Sequence, residues 1–278
     1  MARPVTLSLL TAVLLVSCGS DSDPVIPDPV PAPEPETAVI FYDDFNTFDG
    51  SAWTKETHEA GWTNQELQSY SPSQVTVGKD GDKTVLILTA RRSNGKIVSG
   101  RINSKGKKSF KYGKIEASIK LPATADGLWP AFWMMGDNTK EWPACGEIDI
   151  MEMGEATGIA DGTSNSRVNT AIHYGASVAD HEQKYFSTST GINLQDGKYH
   201  TYTLDRDRNT LEILIDGKSF YKFDITGNSY FQDNFFILFN LAVGGSFTGI
   251  TEQKGITAIK EGGQAQMFVD WVKVSNNK

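Results

Sequence analysis

The chain has 278 residues, with 34 acidic against 26 basic side chains, a formal charge of −8 and 10% aromatic residues. That size suits one large β domain or two small ones, and the acidic balance lacks the basic footprint of a nucleic-acid binder, which excludes that partner.

Residues 1–17 read as an export leader. Arg3 is a minimal positive start, and Val5 to Val16 is an apolar stretch too short to cross a bilayer. The segment ends Leu15-Val16-Ser17-Cys18, which resembles the bacterial lipobox. Cys18 is therefore expected to be lipidated and to anchor the chain to a membrane; the alternative is a plain signal peptide with a chance cysteine. Of the two cysteines, that leaves only Cys145 as a thiol, so no intrachain disulfide is expected. No base or oxyanion pattern accompanies Cys145, and it reads as a small packed residue.

Residues 18–36 form a linker. Gly19 to Asp23 is polar and acidic, and Pro24 to Pro35 carries a proline at nearly every second position. Such a sequence is extended, roughly 35 to 40 Å at ~3.1 Å per residue, and holds the domain at 37–278 clear of a membrane. The acidic run after Cys18 resembles surface-export signals of bacterial lipoproteins, so an outer-membrane, cell-surface protein is expected, acting as a monomer.

From Val39 onward, short strand patterns are separated by turn residues. Val85 to Leu88, Ile115 to Leu121, Tyr202 to Leu204, Leu211 to Ile215 and Phe235 to Val243 read as strands, and Asp216-Gly217 as a hairpin turn. Helical periodicity is nearly absent. The pattern predicts an all-β sandwich or barrel without internal repeats.

Within it, Glu147-Ile148-Asp149-Ile150-Met151-Glu152 alternates carboxylates with apolar residues. On a regular strand Glu147 and Asp149 share a face and Glu152 falls on the other. One extra residue at Ile150 or Met151, a β-bulge, returns Glu152 to their side. The outer carboxyls are then expected ~5 Å apart, near the spacing of a retaining glycosidase pair. An edge strand with a solvated acidic face is the plainer reading, but like charges on one face of an apolar strand repel, so three need a reason. Trp129, Trp133 and Trp142 precede the run; any one of them suits a sheet core, yet together beside carboxylates they suggest a carbohydrate cleft.

These residues carry a family resemblance. Gly127-Leu128-Trp129-Pro130-Ala131-Phe132-Trp133-Met134-Met135-Gly136, Trp142-Pro143 and Gly146 to Glu152 closely resemble glycoside hydrolase family 16, in its bulged laminarinase-like branch of endo-β-1,3(4)-glucanases. Asn64 to Gln68, Ser99 to Ile102, Tyr112 to Glu116, Ala171 to Tyr174, Asn240 to Gly245 and Val269 to Val272 match in the same order. The resemblance implies a β-jelly roll of two antiparallel sheets and a retaining endo-β-glucanase without a catalytic cofactor. Its nucleophile would be Glu147 and its acid/base Glu152, with Asp149 hydrogen-bonded to Glu147 between them.

It further implies sugar contacts from Asn64, Glu66 and Arg101. His173 would stand near the catalytic centre, orienting the acid/base or touching the leaving sugar. Asp44 and Asp270 match positions of a structural calcium in many relatives, although glutamate is usual where Asp44 stands. Phe247 stands where laminarinases commonly have tryptophan, which opens the choice between β-1,3-glucan and mixed-linkage β-1,3/1,4-glucan. Two other readings are a non-catalytic glucan-binding lipoprotein, which would not need both Glu147 and Glu152, and a hydrolase of a galactan such as agarose.

Overall fold

Apolar residues at every second position need a buried face, and from Val39 the chain meets that need with strands stacked as two sheets. The computed structural model describes residues 38–276; the expected leader, Cys18 and the proline-rich linker lie outside the described residues. One sheet runs, edge to edge, Glu182–Ser189, Arg167–Tyr174, Glu147–Glu152, Leu128–Gly136, Phe235–Val243, Arg101–Asn103 and Thr54–Lys55, with Ser109–Phe110 also pairing to Phe235–Val243. The other runs Lys218–Asp224, Thr210–Ile215, His200–Arg206, Gly113–Lys120, Gln264–Ser275, Lys83–Ser93, Lys96–Ser99 and Gln68–Tyr70, with Val39–Asp43 and Val75–Asp80 attached. Pairing is antiparallel throughout except between Gln68–Tyr70 and Lys96–Ser99, which run parallel.

The expected strands are all present: Phe235–Val243 with the expected bounds, Gly113–Lys120 stopping one residue short of Leu121, and the others within slightly longer strands; the only α-helix among the described residues is Ala156–Asp161. Ile215 faces Lys218 across the predicted hairpin. Asp216 and Gly217 have φ of 49° and 74°, the left-handed pair that a two-residue turn matching strand twist requires.

Between the sheets lies one apolar core. Phe132 and Phe239 stack at 4.8 Å between ring centroids, and Ile148, Ile150 and Met151 join Leu86, Ile119, Val272 and their neighbours in the same cluster. Each large side chain buried there contributes about 1.5–3 kcal/mol. Cys145 is buried, as expected of a packed thiol.

One glycine fixes how the chain leaves the acidic strand. Gly154, two residues beyond Glu152, has φ +97°, and a Cβ there would lie 2.0 Å from the Leu128 carbonyl oxygen. Neither the backbone angle nor the space admits a side chain. Gly154→Ala is expected to destabilise the fold by about 2–4 kcal/mol, read as a lower midpoint in urea unfolding; an unchanged midpoint would contradict this packing.

Candidate active site

The acidic strand is bulged. Met135 faces Glu147 and Trp133 faces Asp149, but Phe132 faces Met151, so Ile150 is left without a partner on that side. On the other side, Asp149 faces Ala171 and Glu152 faces Asn169, so two residues oppose one. Ile150 and Met151 both enter the core, and Glu152 returns to the face of Glu147 and Asp149. All three carboxylates line one cleft of about 650 Å³.

Each carboxylate has its own attendants. Trp142 Nε1 donates to Glu147 Oε2 at 3.1 Å, and Trp129 Nε1 donates to Glu152 Oε1 at 2.9 Å. His173 Nε2 lies 3.2 Å from Asp149 Oδ2 and 3.7 Å from Glu147 Oε1. Asp149 Oδ2 is buried and takes part in no hydrogen bond with the described residues, so His173 is its close polar neighbour. His173 sits opposite Glu147 in register on the next strand and stands nearest Asp149 and Glu147, and its charge also bears on Glu152.

Behind His173 stands a residue that the sequence did not flag. His181 Nε2 lies 2.9 Å from His173 Nδ1, with the two rings nearly coplanar at 7°. A single proton lies between them. If it comes from His181, His173 keeps its Nε2 proton facing the carboxylates; the opposite tautomer would aim a lone pair at two acids. Glu147, Asp149 and His173 also bring donor atoms within 4.8 Å of one another, the one such group of potential metal ligands among the described residues.

Burial and then Asp149 push Glu147 up to about 8, against the pull of His173, the Trp142 donor and Arg101. Burial likewise raises Asp149 to about 8, and burial with Asp149 raises Glu152 well above its ordinary range. Three crowded carboxyls cannot all ionise together, and their protons leave in steps that belong to the cluster. Glu147 has Arg101 and the Trp142 indole donor among its compensations, and Glu152 has the Trp129 indole donor.

The remaining predicted residues gather at one end of the cleft. Asn64 and Glu66 both line it. Glu66 is buried and accepts from Gln68 Nε2 at 2.5 Å and Tyr70 Oη at 3.1 Å. The Ser246 amide donates to the Asn64 carbonyl, which ties this loop to the one bearing Phe247. Arg101 also lines the cleft, its guanidinium 4.9 Å from the Trp133 ring centroid and its Nε donating to Glu56 Oε2 at 3.0 Å. Glu56 was not foreseen, and Asn240, matched only as part of a motif, accepts at Oδ1 from Trp133 Nε1 at 2.7 Å.

The tryptophans divide their work. All three line the cleft, with Trp142 the exposed one, and Trp129 also donates to Glu152 and stacks on Phe247 at 4.6 Å. Phe247 thus backs the indole that orients a carboxyl.

The expected calcium site is not assembled. Asp44 follows the Val39–Asp43 strand, which pairs with the strand carrying Asp270. Yet Asp44 Oδ2 accepts from Asn46 at 2.6 Å and Asp270 Oδ2 from Lys83 Nζ at 2.5 Å. An ammonium on one carboxylate opposes a dication, and calcium takes about six to eight oxygens, which these side chains do not gather.

Comparison with known proteins points the same way as the geometry. Residues 62–272 match the model of Glycosyl hydrolases family 16. A glucan endo-1,3-beta-glucosidase A1 of Niallia circulans is 32% identical over 93% of the chain and 39% of its own length, so the chain spans about two fifths of that relative. A beta-glucanase of Rhodothermus marinus is 28% identical over 86% of the chain and 85% of its length. Among solved structures, a Bacteroides ovatus mixed linkage glucan GH16 enzyme in complex with a G4G4G3G product is 67% identical. It covers 84% of this chain and 99% of that one, with a TM-score of 0.84.

Proposed function

The chain belongs to glycosyl hydrolase family 16, and from that premise we propose that it is a retaining endo-β-glucanase acting on mixed-linkage β-1,3/1,4-glucan, with β-1,3-glucan as a second substrate. The observation that carries the reading is the bulge, which sets Glu147, Asp149 and Glu152 on one face of an aromatic cleft. The 67% identity to the Bacteroides ovatus mixed-linkage enzyme supports the order of substrates. Phe247, in place of the tryptophan common in laminarinases, agrees with it.

In this mechanism the Glu147 carboxylate attacks the anomeric carbon while Glu152 protonates the departing glycosidic oxygen, giving a covalent glycosyl-enzyme. Water then attacks the same carbon, passes its proton to Glu152 and releases Glu147, and two inversions leave the configuration retained. Asp149 keeps the proton on Glu152 by like-charge repulsion. His173 bears on Asp149 and Glu147, and no catalytic cofactor takes part. Asn64, Glu66 and Arg101 contact the sugars that stay with the enzyme in the first step.

The role of Asp149 fixes the sign of a pH effect. Its negative charge raises both Glu147 and Glu152. In Asp149→Asn both carboxyls lose that push, so the acid and the alkaline limbs of the kcat/KM profile are expected to move to lower pH. A profile that falls in height without moving would contradict the role.

We further propose that residues 1–17 direct export, that Cys18 carries the lipid anchor, and that 18–36 tether a monomeric catalytic domain at 37–278 to the outer membrane. The functional test is release of reducing ends from barley-type mixed-linkage glucan, laminarin, an all-β-1,4 glucan and agarose. Rapid release of short oligosaccharides from the first, slower release from the second and none from the others is expected. Activity on agarose alone, or on nothing, would contradict the proposal.

A further inference from the structure

A second pocket of about 370 Å³ adjoins the cleft on the far side of Glu152. It shares Glu152, Gln183 and Phe247 with the cleft but touches neither Glu147 nor Asp149. Strand order gives the cleft a direction. Arg101 sits three strands to one side of the acidic strand, whereas Asn169 and Tyr185 lie on the first and second strands to the other. A polymer crossing the strands passes Arg101, then the carboxylates, then Tyr185.

Tyr185 is placed to meet it. It faces Ala171, which in turn faces Asp149, so its side chain rises from the same face of the sheet as the carboxylates. The residue is 61% exposed and enters no ring contact among the described residues. Tyrosines on sheets usually stack or bury their rings; this one stands open at the end of a cleft. Asn169 and Gln183 add amides able to donate and accept.

The charge of the pocket narrows what it admits. No lysine or arginine lines it, while Glu152 and Glu155 do. Glu155 is held by the Ser187 hydroxyl. Carboxylates and amides suit neutral hydroxyls and repel sulfate or uronate.

We propose that this pocket binds the reducing-side portion of a neutral β-glucan, with the Tyr185 ring as its stacking platform. The inference rests on the reading of Glu152 as the acid above, because a proton donor stands over the leaving oxygen and the departing chain extends past it. Phe247, shared by the two pockets, then borders the reacting bond. The leaving chain has a built site, and chain length beyond the cut becomes a determinant of rate.

The test compares two substrates with the same non-reducing sugars: a mixed-linkage oligosaccharide that extends past the scissile bond, and its aryl glycoside, which ends in a nitrophenyl group there. Full-length wild type, Tyr185→Ala and Tyr185→Phe are assayed on both. The ratio of kcat/KM for oligosaccharide over aryl glycoside is expected to fall about tenfold in Tyr185→Ala, chiefly through KM, and to stay within about twofold of wild type in Tyr185→Phe. An unchanged ratio in Tyr185→Ala, whether both rates hold or both fall together, overturns the assignment. Failure of wild type on both substrates would instead sink the glucanase reading and take this proposal with it.

Discussion

Glu147→Ala is expected to lower kcat/KM on mixed-linkage glucan by about 10⁴-fold or more. The covalent step loses its nucleophile, and water has no base on the face that Glu147 occupied. Trp142 and His173 remain to line the vacated space, so a small anion should enter it. Added azide is expected to restore turnover and to give an α-glycosyl azide, because it attacks from the side of the missing carboxylate. The fold should gain from the change. Glu147 is raised to about 8 in the folded chain against about 4.5 unfolded, so the folded state holds a proton that the unfolded state releases between those values. Its penalty is absent below the unfolded value and grows as pH rises through the folded one. Glu147→Ala should therefore raise the unfolding midpoint at pH 8 more than at pH 4.

Glu152→Ala is expected to have an effect that depends on the leaving group. On the polysaccharide, whose departing alkoxide needs a proton, a loss of about 10²–10⁴-fold is expected. A dinitrophenyl glycoside leaves as a stable anion and needs no acid, so its first step should be nearly normal and the second should become limiting. Azide should then speed turnover and yield the β-glycosyl azide, the opposite anomer from the Glu147 variant. The alkaline limb of the pH profile should vanish, since Glu152, held up by burial and Asp149, is the group whose ionisation sets it. Equal losses on both substrates would remove Glu152 from the acid role. Trp129 and Phe247 enter here, because the indole that donates to Glu152 is itself backed by the phenyl ring.

The sequence made the architecture of this site legible where the information is local. The bulge followed from the parity of Glu147, Asp149 and Glu152 against Ile148, Ile150 and Met151, and Asp216-Gly217 named its own turn. Both are rules about neighbours in one strand or hairpin. What stayed hidden depends on distant pairings. Glu56 meets Arg101 across 45 residues and Asn240 meets Trp133 across 107, and no periodicity announces such partners. His173 was found by its motif, but its closest carboxylates were not, because register alone put it opposite Glu147. His181 follows a short 3-10 turn at Val178–Asp180 and carries no pattern at all. Asp44 and Asp270 fail differently. Their strands do pair, yet Asn46 and Lys83 engage the side chains that a calcium ion would need.

The most direct measurement is mass spectrometry of the protein after incubation with a 2-deoxy-2-fluoro glucan-oligosaccharide aryl glycoside. The fluorine slows both chemical steps and the activated leaving group favours the first, so the glycosyl-enzyme accumulates. A single adduct on the peptide containing Glu147, absent from Glu147→Ala, is the predicted result. An adduct on Glu152, or turnover of the unfluorinated substrate to a product first released as the α anomer, would contradict the account.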